Sequence, residues 1–295
     1  MLSNYNEHVM KARFLGTHDG SFHADEVTAA ALLIVFDCID PHHIIRSRKE
    51  SELTPCEYVC DVGGIYDPSL KRFDHHQVGY AGELSSAGMI LLHLLETNVI
   101  DQKTFTFLKD SFVQGVDDHD NGRSTFEVGV STFSHVISQF VPPSYQVSSH
   151  EMKEAFDQAV AFTVGHIRRL LSRYHYIKAC ENRVHHVMKK GHDVLIFDEA
   201  MPWMDIFFEN GGESHPALFV IMPADSHWKL RGIPPHTLDR MNVRKPLPLA
   251  WSGLMGEALK EISQIEGAIF CHKGRFISIW ETKEDAMKAL QEVLK

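Results

Sequence analysis

At 295 residues, with 44% apolar and 23% charged residues, the chain can bury one large or two ordinary cores, and its composition excludes a disordered protein. A formal charge of −10 argues against a broad nucleic-acid-coating surface, but not against a small basic cleft in an acidic nucleic-acid enzyme. The longest apolar run, Val27 to Phe36, falls short of the about 20 residues a bilayer needs.

The first predicted strand runs from Lys11 to Gly16, with no targeting segment evident before it. It leads into His18-Asp19-Gly20-Ser21-Phe22-His23-Ala24-Asp25-Glu26, whose last two residues open an Ala-rich helix to Phe36. Acidic residues suit a helix start, but two carboxylates and two imidazoles around one turn exceed what capping requires. Further short strands are expected at His43 to Arg46 and Glu57 to Val62. This order predicts an α/β layer on a mostly parallel sheet, with ligands gathered beyond the carboxyl ends of its strands. The cysteines 38, 56, 60, 180 and 271 form no disulfide framework and lack zinc-ligand spacing, so they read as reduced core thiols of a cytoplasmic protein.

Asp61-Val62-Gly63-Gly64 lets backbone approach a ligand, and Tyr66 to Ser69 reads as a turn. Asp74-His75-His76 cannot place three side chains on one face of a regular element, so a strand end is expected there. Ser85 and Ser86 precede a helix through Met89 to Leu95, and they read either as a plain cap or as an anion site. A helix from Asp101 to Val116 delivers Asp117-Asp118-His119-Asp120-Asn121-Gly122. Ser131 to Phe140 looks helical, and Pro142-Pro143 marks a boundary.

From Glu151 to about Lys189 the pattern is one long helix with Phe156, Val160, Val164, Ile167 and Leu171 on a stripe. Beyond it come short strands at 194–197, 217–222, 228–233, 268–272 and 276–280, with helices at 253–262 and from Thr282 onward. The expected organisation is a catalytic domain over 1–145, a helical connector over 146–190, and a smaller α+β substrate-binding domain with a mixed sheet over 191–295.

The four Asp- and His-rich clusters read together as one divalent-metal site. A pair of carboxylates 4 Å apart costs about 4 kcal/mol at an effective dielectric near 20. Asp25, Asp61, Asp74 and Asp120 can therefore converge only with protons, cations or strong hydrogen bonds. Two bound divalent ions would bring the formal charge from −10 to about −6. Mixed imidazole and carboxylate without thiolate favours Mn²⁺, Mg²⁺, Co²⁺ or Fe²⁺ over structural zinc. A pair of ions about 3.5–4 Å apart, sharing an Asp, would clamp a phosphoryl group while a hydroxide between them attacks phosphorus. Asp61, Asp74 and His76 form the expected catalytic group, with His76 donating to the phosphate. The plain structural alternative is a set of unrelated loops whose Asp and His cap helices and turns. Arg231, Arg244, Lys245 and His272 are candidates to hold substrate phosphates, or else solvated surface groups. Trp203, Trp228 and Trp251 would stack a base or fill a second core.

At Gly16 to Glu26, Asp61 to Pro68, Asp74 to Gln77, Leu84 to Gly88 and Asp117 to Gly122 the sequence resembles the DHH phosphoesterase superfamily. Within it, the chain is similar to the melanocyte-proliferating-gene (Myg) exonuclease family. Pro202-Trp203, Trp228 to Pro234, Leu247-Pro248, Trp251 to Leu254 and Ile269 to His272 extend the resemblance over nearly the whole chain. It implies a DHH-type N-terminal domain, a C-terminal substrate domain and an active cleft between them. It implies one ion on His18, His23 and Asp61, and another on Asp25, Asp61, His75 and Asp120, with His76 meeting phosphate. His23 stands where the superfamily has Asp, and the superfamily's spacing there is one residue shorter, which leaves the metal preference open. The last motif offers both Asp117 and Asp120; Asp120 is preferred because Asp-Asn-Gly resembles the superfamily's Asp-Thr-Gly.

The resemblance implies a Mn²⁺- or Mg²⁺-dependent 3′-to-5′ exonuclease acting on RNA or short oligonucleotides, with Co²⁺ as a further candidate ion. A small-molecule phosphatase such as a pyrophosphatase, and a metal-stabilised binding module without turnover, are the alternatives. No membrane partner is expected, and homo-oligomerisation is left open.

Overall fold

In the computed structural model, which describes residues 10–295 except 126, 145, 191, 192 and 240, two units form, over residues 1–171 and 172–295. Each is built on a five-stranded sheet, so the fold is mixed α/β.

The first sheet contains β1 (Lys11–Thr17), β2 (Ile44–Arg46), β3 (Cys56–Cys60), β4 (Tyr66–Asp67) and β5 (Arg72–Phe73) in the order β2-β1-β3-β5-β4. Every pairing is parallel except β4 with β5, as expected of a mostly parallel sheet. The two-residue strands β4 and β5 are too short to carry a periodicity, and the sequence shows only a turn there. That turn exists between them: Asp67 Oδ1 accepts from the Ser69 N–H at 3.0 Å, and Lys71 reverses the chain at a φ of +55°.

Helix α1 (Ala24–Val35) is buried on nearly all sides, and Ala29, Ala30 and Ala31 are fully buried. It packs beside α3 (Ser86–Glu96); a short α2 (Glu50–Leu53) lies between β2 and β3. Next, α4 (Gln102–Leu108) passes through a π turn at Lys109–Val113 into α5 (Gln114–Asp120). The predicted helix thus reaches the acidic cluster with one irregular turn, a feature frequent near functional sites. After α6 (Phe133–Ser138) comes α7 (Ser149–Lys190), which starts on a reciprocal pair: Ser148 N donates to Glu151 Oε2 at 2.8 Å, and Glu151 N donates to Ser148 Oγ at 3.2 Å. Phe156, Ala159, Val164, Ile167 and Leu171 of α7 belong to the first core.

The second unit contains β6 (Val194–Ile196), α8 (Met204–Glu209), β7 (Phe219–Ala224), β8 (His227–Gly232), α9 (Gly256–Ser263), β9 (Ala268–Cys271), β10 (Ile277–Trp280) and α10 (Lys283–Leu294). Its strand order is β6-β7-β8-β10-β9, with only β6 and β7 parallel, so the sheet is mixed. Alternation along β7 splits its side chains between two cores. Phe219 and Ile221 meet Leu230, Trp251 and Trp280, whereas Val220 and Met222 meet Trp203, Phe207 and the α7 residues Cys180 and Val184. Trp203 and Trp251 are therefore core residues and offer no face to a base. All five cysteines are free, and all but Cys38 are buried.

Candidate metal centre

The carboxyl ends of the parallel strands place the polar clusters. His18 follows β1, Asp61 follows β3, and Asp74, His75 and His76 follow β5, while Asp25 and Glu26 occupy the first turn of α1 and Asp120 ends α5. The sequence's Asp and His clusters thus meet in one place, at the position where ligands of such sheets gather.

His18 is oriented from behind. Its Nδ1 lies 2.8 Å from the Asp19 carbonyl, which can only accept, so that nitrogen donates and Nε2 turns inward. Nε2 then lies 3.1 Å from Glu26 Oε1 and 3.2 Å from Asp61 Oδ2. Burial opposes charge on this ring, but Asp61 and Glu26 outweigh it and raise its pKa to about 10. His75 Nε2 lies 3.1 Å from Asp120 Oδ2, 3.4 Å from Asp61 Oδ1 and 3.9 Å from Asp25 Oδ2. Burial is again outweighed, here by Asp120 and Asp61, and its pKa also rises to about 10.

The carboxylates respond in opposite directions. Burial would raise Asp61, but the His18 and His75 rings hold it down to about 2. Asp25 is 1% exposed; burial first, then the charges of Asp61, Glu26 and Asp120, push its carboxyl well above the usual range. Neither Asp25 oxygen meets a donor in hydrogen-bonding geometry among the described residues. A buried carboxylate without a donor is costly, and a cation removes that cost.

Three sets of ligand atoms each lie within 4.8 Å of one another: His18, His23, Glu26 and Asp61; Asp61, His75 and His76; and His23, Asp25 and Asp120. Asp61 and His23 each belong to two sets. Oxygen and imidazole donors without thiolate, around unpartnered carboxylate oxygens, fit a hard or borderline divalent ion. The backbone at Asp61 has a φ of +56°, a left-handed conformation that is uncommon outside glycine and concentrated at functional sites. Its N–H, donating to the Phe73 carbonyl at 3.0 Å, ties that conformation to β5.

Asp74 positions rather than ligates. Its Oδ2 accepts from Gly64 N at 2.6 Å, while Oδ1 accepts from His76 N at 3.0 Å and lies 2.8 Å from His76 Nδ1. The exposed His76 ring is thereby aimed at the mouth of the site. Two cavities open there. One, of about 650 Å³, is lined by His18, Asp19, His23, Arg48, Asp61, Asp74 and His76 among others; the second, of about 430 Å³, includes His23, His75, His76, His119, Asp120 and Ser134.

Other expected residues have different partners. Asp117 Oδ1 accepts from Ser85 Oγ at 2.6 Å, Ser85 N at 3.0 Å and Gly88 N at 3.0 Å, so Asp117 caps α3 and Asp120 faces the centre. A side chain at Gly88 would put Cβ 2.2 Å from Asp117 Oδ2, which explains the glycine. Ser86 Oγ donates to the Phe73 carbonyl at 2.8 Å. Both serine protons thus go to buried acceptors, and the anion-site reading of Ser85 and Ser86 gives way to the cap. Arg231, Arg244 and His272 lie in the second unit, while the metal-ligand cluster is made entirely within the first. The Arg244 guanidinium donates to the carbonyls of Gly212, His215, Ala217 and Pro234 at 2.6–3.2 Å. Those four bonds hold loops together and replace the phosphate role expected of it. His272 Nδ1 accepts from Gly274 N at 2.9 Å, and Arg231 sits 5.7 Å from the Phe276 ring centre.

The expected ligand sets left out Glu26, although it belongs to the first polar cluster, and sequence reasoning missed Arg48. Glu26 is fully buried, and both its oxygens accept from His23 N at 3.0 Å. The signal was its place three residues after His23, the cap position of α1. Arg48 follows β2 and pairs with Asp19 at 3.3 Å.

The family model MYG1_exonuc, described as "Uncharacterised protein family (UPF0160)", matches residues 14–294. The MYG1 protein of Chlamydia pneumoniae is 47% identical over 283 residues, covering 96% of this chain and 97% of its own. MYG1 exonuclease of Homo sapiens is 30% identical over 324 residues, covering 95% of this chain and 85% of its own. Among solved structures, RecJ in complex with Mn²⁺ from Thermus thermophilus aligns at 11% identity with a TM-score of 0.29. That alignment covers 96% of this chain and 52% of the RecJ chain.

Proposed function

The chain belongs to the MYG1 exonuclease family, and on that premise we propose that it is a divalent-metal-dependent phosphodiesterase that trims RNA or short oligonucleotides from the 3′ end in the cytoplasm. The observation that carries the metal reading is Asp25: a buried carboxylate with no donor among the described residues, beside Asp61, Glu26 and Asp120. His18, His23, Glu26 and Asp61 would hold one ion, and Asp25, Asp61, His75 and Asp120 the other. When bound, Mn²⁺ or Mg²⁺ supplies Lewis-acid polarisation of the phosphoryl group and lowers the pKa of water.

The remaining work belongs to the chain's own side chains. His18 presents Nε2 inward from a ring fixed at Nδ1, His75 presents Nε2 to the same Asp61 carboxylate, and the left-handed turn at Asp61 aims that carboxylate at both neighbouring sets. Asp74 holds the His76 Nδ1 proton, leaving Nε2 on an exposed ring to donate to a phosphate oxygen when the imidazole is protonated. Arg48 places a cation at the wall of the same cavity. In this reading, catalysis lies within 1–145, and the 191–295 segment, joined through 146–190, engages the nucleic-acid strand.

The test is hydrolysis of 3′-labelled and 5′-labelled short RNA, and of pyrophosphate, after exhaustive EDTA dialysis and again after Mn²⁺ or Mg²⁺ addition. We expect no turnover without metal, and with it release of the 3′ label as mononucleotide and stepwise shortening of the 5′-labelled strand. Activity that survives dialysis defeats the metal reading. Release of orthophosphate from pyrophosphate with intact RNA replaces the nuclease by a small-molecule phosphatase.

A further inference from the structure

We propose that a cleft beside the metal centre seats the base of the nucleotide whose phosphate the centre holds; this rests on the phosphodiesterase reading above and names the part of its substrate that the reading leaves open. The cleft has a volume of about 280 Å³, and its walls include Leu53, Thr54, Val59, Val62, Ile65 and Arg72. It shares Arg48, Val62 and Gly63 with the 650 Å³ cavity that holds His18, Asp61 and His76. The two cavities are therefore immediate neighbours, close enough for a ligand with its phosphate at the centre to reach across Gly63. Gly63, common to both linings, has a φ of +100° and no side chain, so only bare backbone stands where the two cavities adjoin.

The lining suits a flat, largely apolar group. Leu53 and Val59 form the floor with Cys56 in a small buried cluster, and Ile65 stands at the rim 51% exposed. Arg72 supplies a fixed plane: its Nη1 donates to the Glu57 and Lys71 carbonyls at 3.2 Å, and its Nη2 donates to Thr54 at 3.3 Å and Cys56 at 3.2 Å. A guanidinium held in this way can stack on a base without paying for its own ordering. Arg48, on the shared wall, is 65% exposed and pairs across 3.3 Å with Asp19, a weak surface pair that a ribose phosphate can displace. At about 280 Å³ the cleft lies at the small end of the roughly 300–1,000 Å³ typical of small-molecule sites, room for one nucleoside and not for a strand. Inorganic pyrophosphate has nothing to place there.

The experiment compares adenosine 5′-monophosphate with ribose 5-phosphate on the Mn²⁺-loaded full chain by calorimetry. Burying the faces of a base should make the nucleotide bind about tenfold tighter, on the order of 1.4 kcal/mol. In the Thr54→Cys variant, saturating nucleotide should slow maleimide alkylation about tenfold and ribose 5-phosphate less than about twofold, against the wild-type chain as the control for its own thiols. Alkylated Thr54→Cys should lose the preference while still binding ribose 5-phosphate. Equal affinities on the wild-type chain, no binding of either probe, or equal protection by both overturns the proposal. Because neither readout needs turnover, a base preference in a chain that leaves RNA intact would defeat the nuclease reading alone.

Discussion

The Asp117 carboxylate closes the start of the helix that follows Ser85, accepting the Ser85 hydroxyl at 2.6 Å and its N–H at 3.0 Å. Burial raises the Asp117 carboxyl despite the Ser85 and Gly88 donors, so the pair is structural and strained by desolvation. Three residues on, Asp120 faces His75 at 3.1 Å. Asp117→Ala should therefore cost about 3 kcal/mol of stability by thermal unfolding, through loss of charge-assisted bonds to a buried helix end. Its Mn²⁺ affinity by calorimetry should change little. Asp120→Ala should do the reverse, weakening Mn²⁺ binding by about 10–100-fold or more at nearly unchanged stability. Interchanged outcomes would move the ligand to Asp117.

Glu26→Gln keeps an oxygen for the His23 N–H and removes the charge beside His18. The helix start should survive, while Mn²⁺ affinity falls about 10–100-fold. Calorimetric titration of both chains decides it, and equal affinities would return Glu26 to a capping role.

The chelated protein should lose stability on the alkaline side. His18 and His75 have folded pKa values raised to about 10, above the 6.5 of a free imidazole. Their contribution is full below about pH 6.5 and is lost as pH rises through about 10. Asp61, held down to about 2 from 3.8, contributes above about pH 3.8 and loses that contribution as pH falls through about 2. Metal competes with protons for the same nitrogens, so saturating Mn²⁺ should reverse the slope between pH 6 and about 8. Melting temperatures across that range, with and without metal, would show it; parallel curves would mean that the imidazoles do not bind the ion.

Arg244→Lys should lower the melting temperature and leave the RNA KM unchanged, because a point charge cannot replace four directed donations to backbone carbonyls. A raised KM with unchanged stability would restore Arg244 to the substrate.

Much of the molecule was readable in its residues. The strand before His18 announced itself as a short, partly apolar run ending at Gly16, that before Asp61 as a short β-branched and aromatic run, and four polar clusters beyond apolar segments announced a shared site. What escaped depended on contacts that no local pattern carries. Asp25 and Glu26 together exceeded what a helix start requires, but only the complete burial of Glu26 against His18 makes it a ligand candidate. Ser85 and Asp117 are 32 residues apart, so sequence could not tell an anion site from a cap already supplied with its own anion. Arg244 had the composition of a phosphate binder; its loops, folded around it, claimed the donors first. The strands Tyr66–Asp67 and Arg72–Phe73 exist because β3 offers them an edge, not because two residues prefer extension.

The backbone at Asp61 sets an unusual order of tolerance. Among side-chain-bearing residues, Asn shares with Asp the ability to sit at a positive φ, and Gly does so freely. Asn or Gly there should keep the chain path while silencing the centre, and should lose only the stability that the Asp61 charge gains from His18 and His75. Glu, the replacement that conserves charge, should disturb the chain path as well as the reach of the carboxylate, making the chemically gentlest exchange the most disruptive of the three.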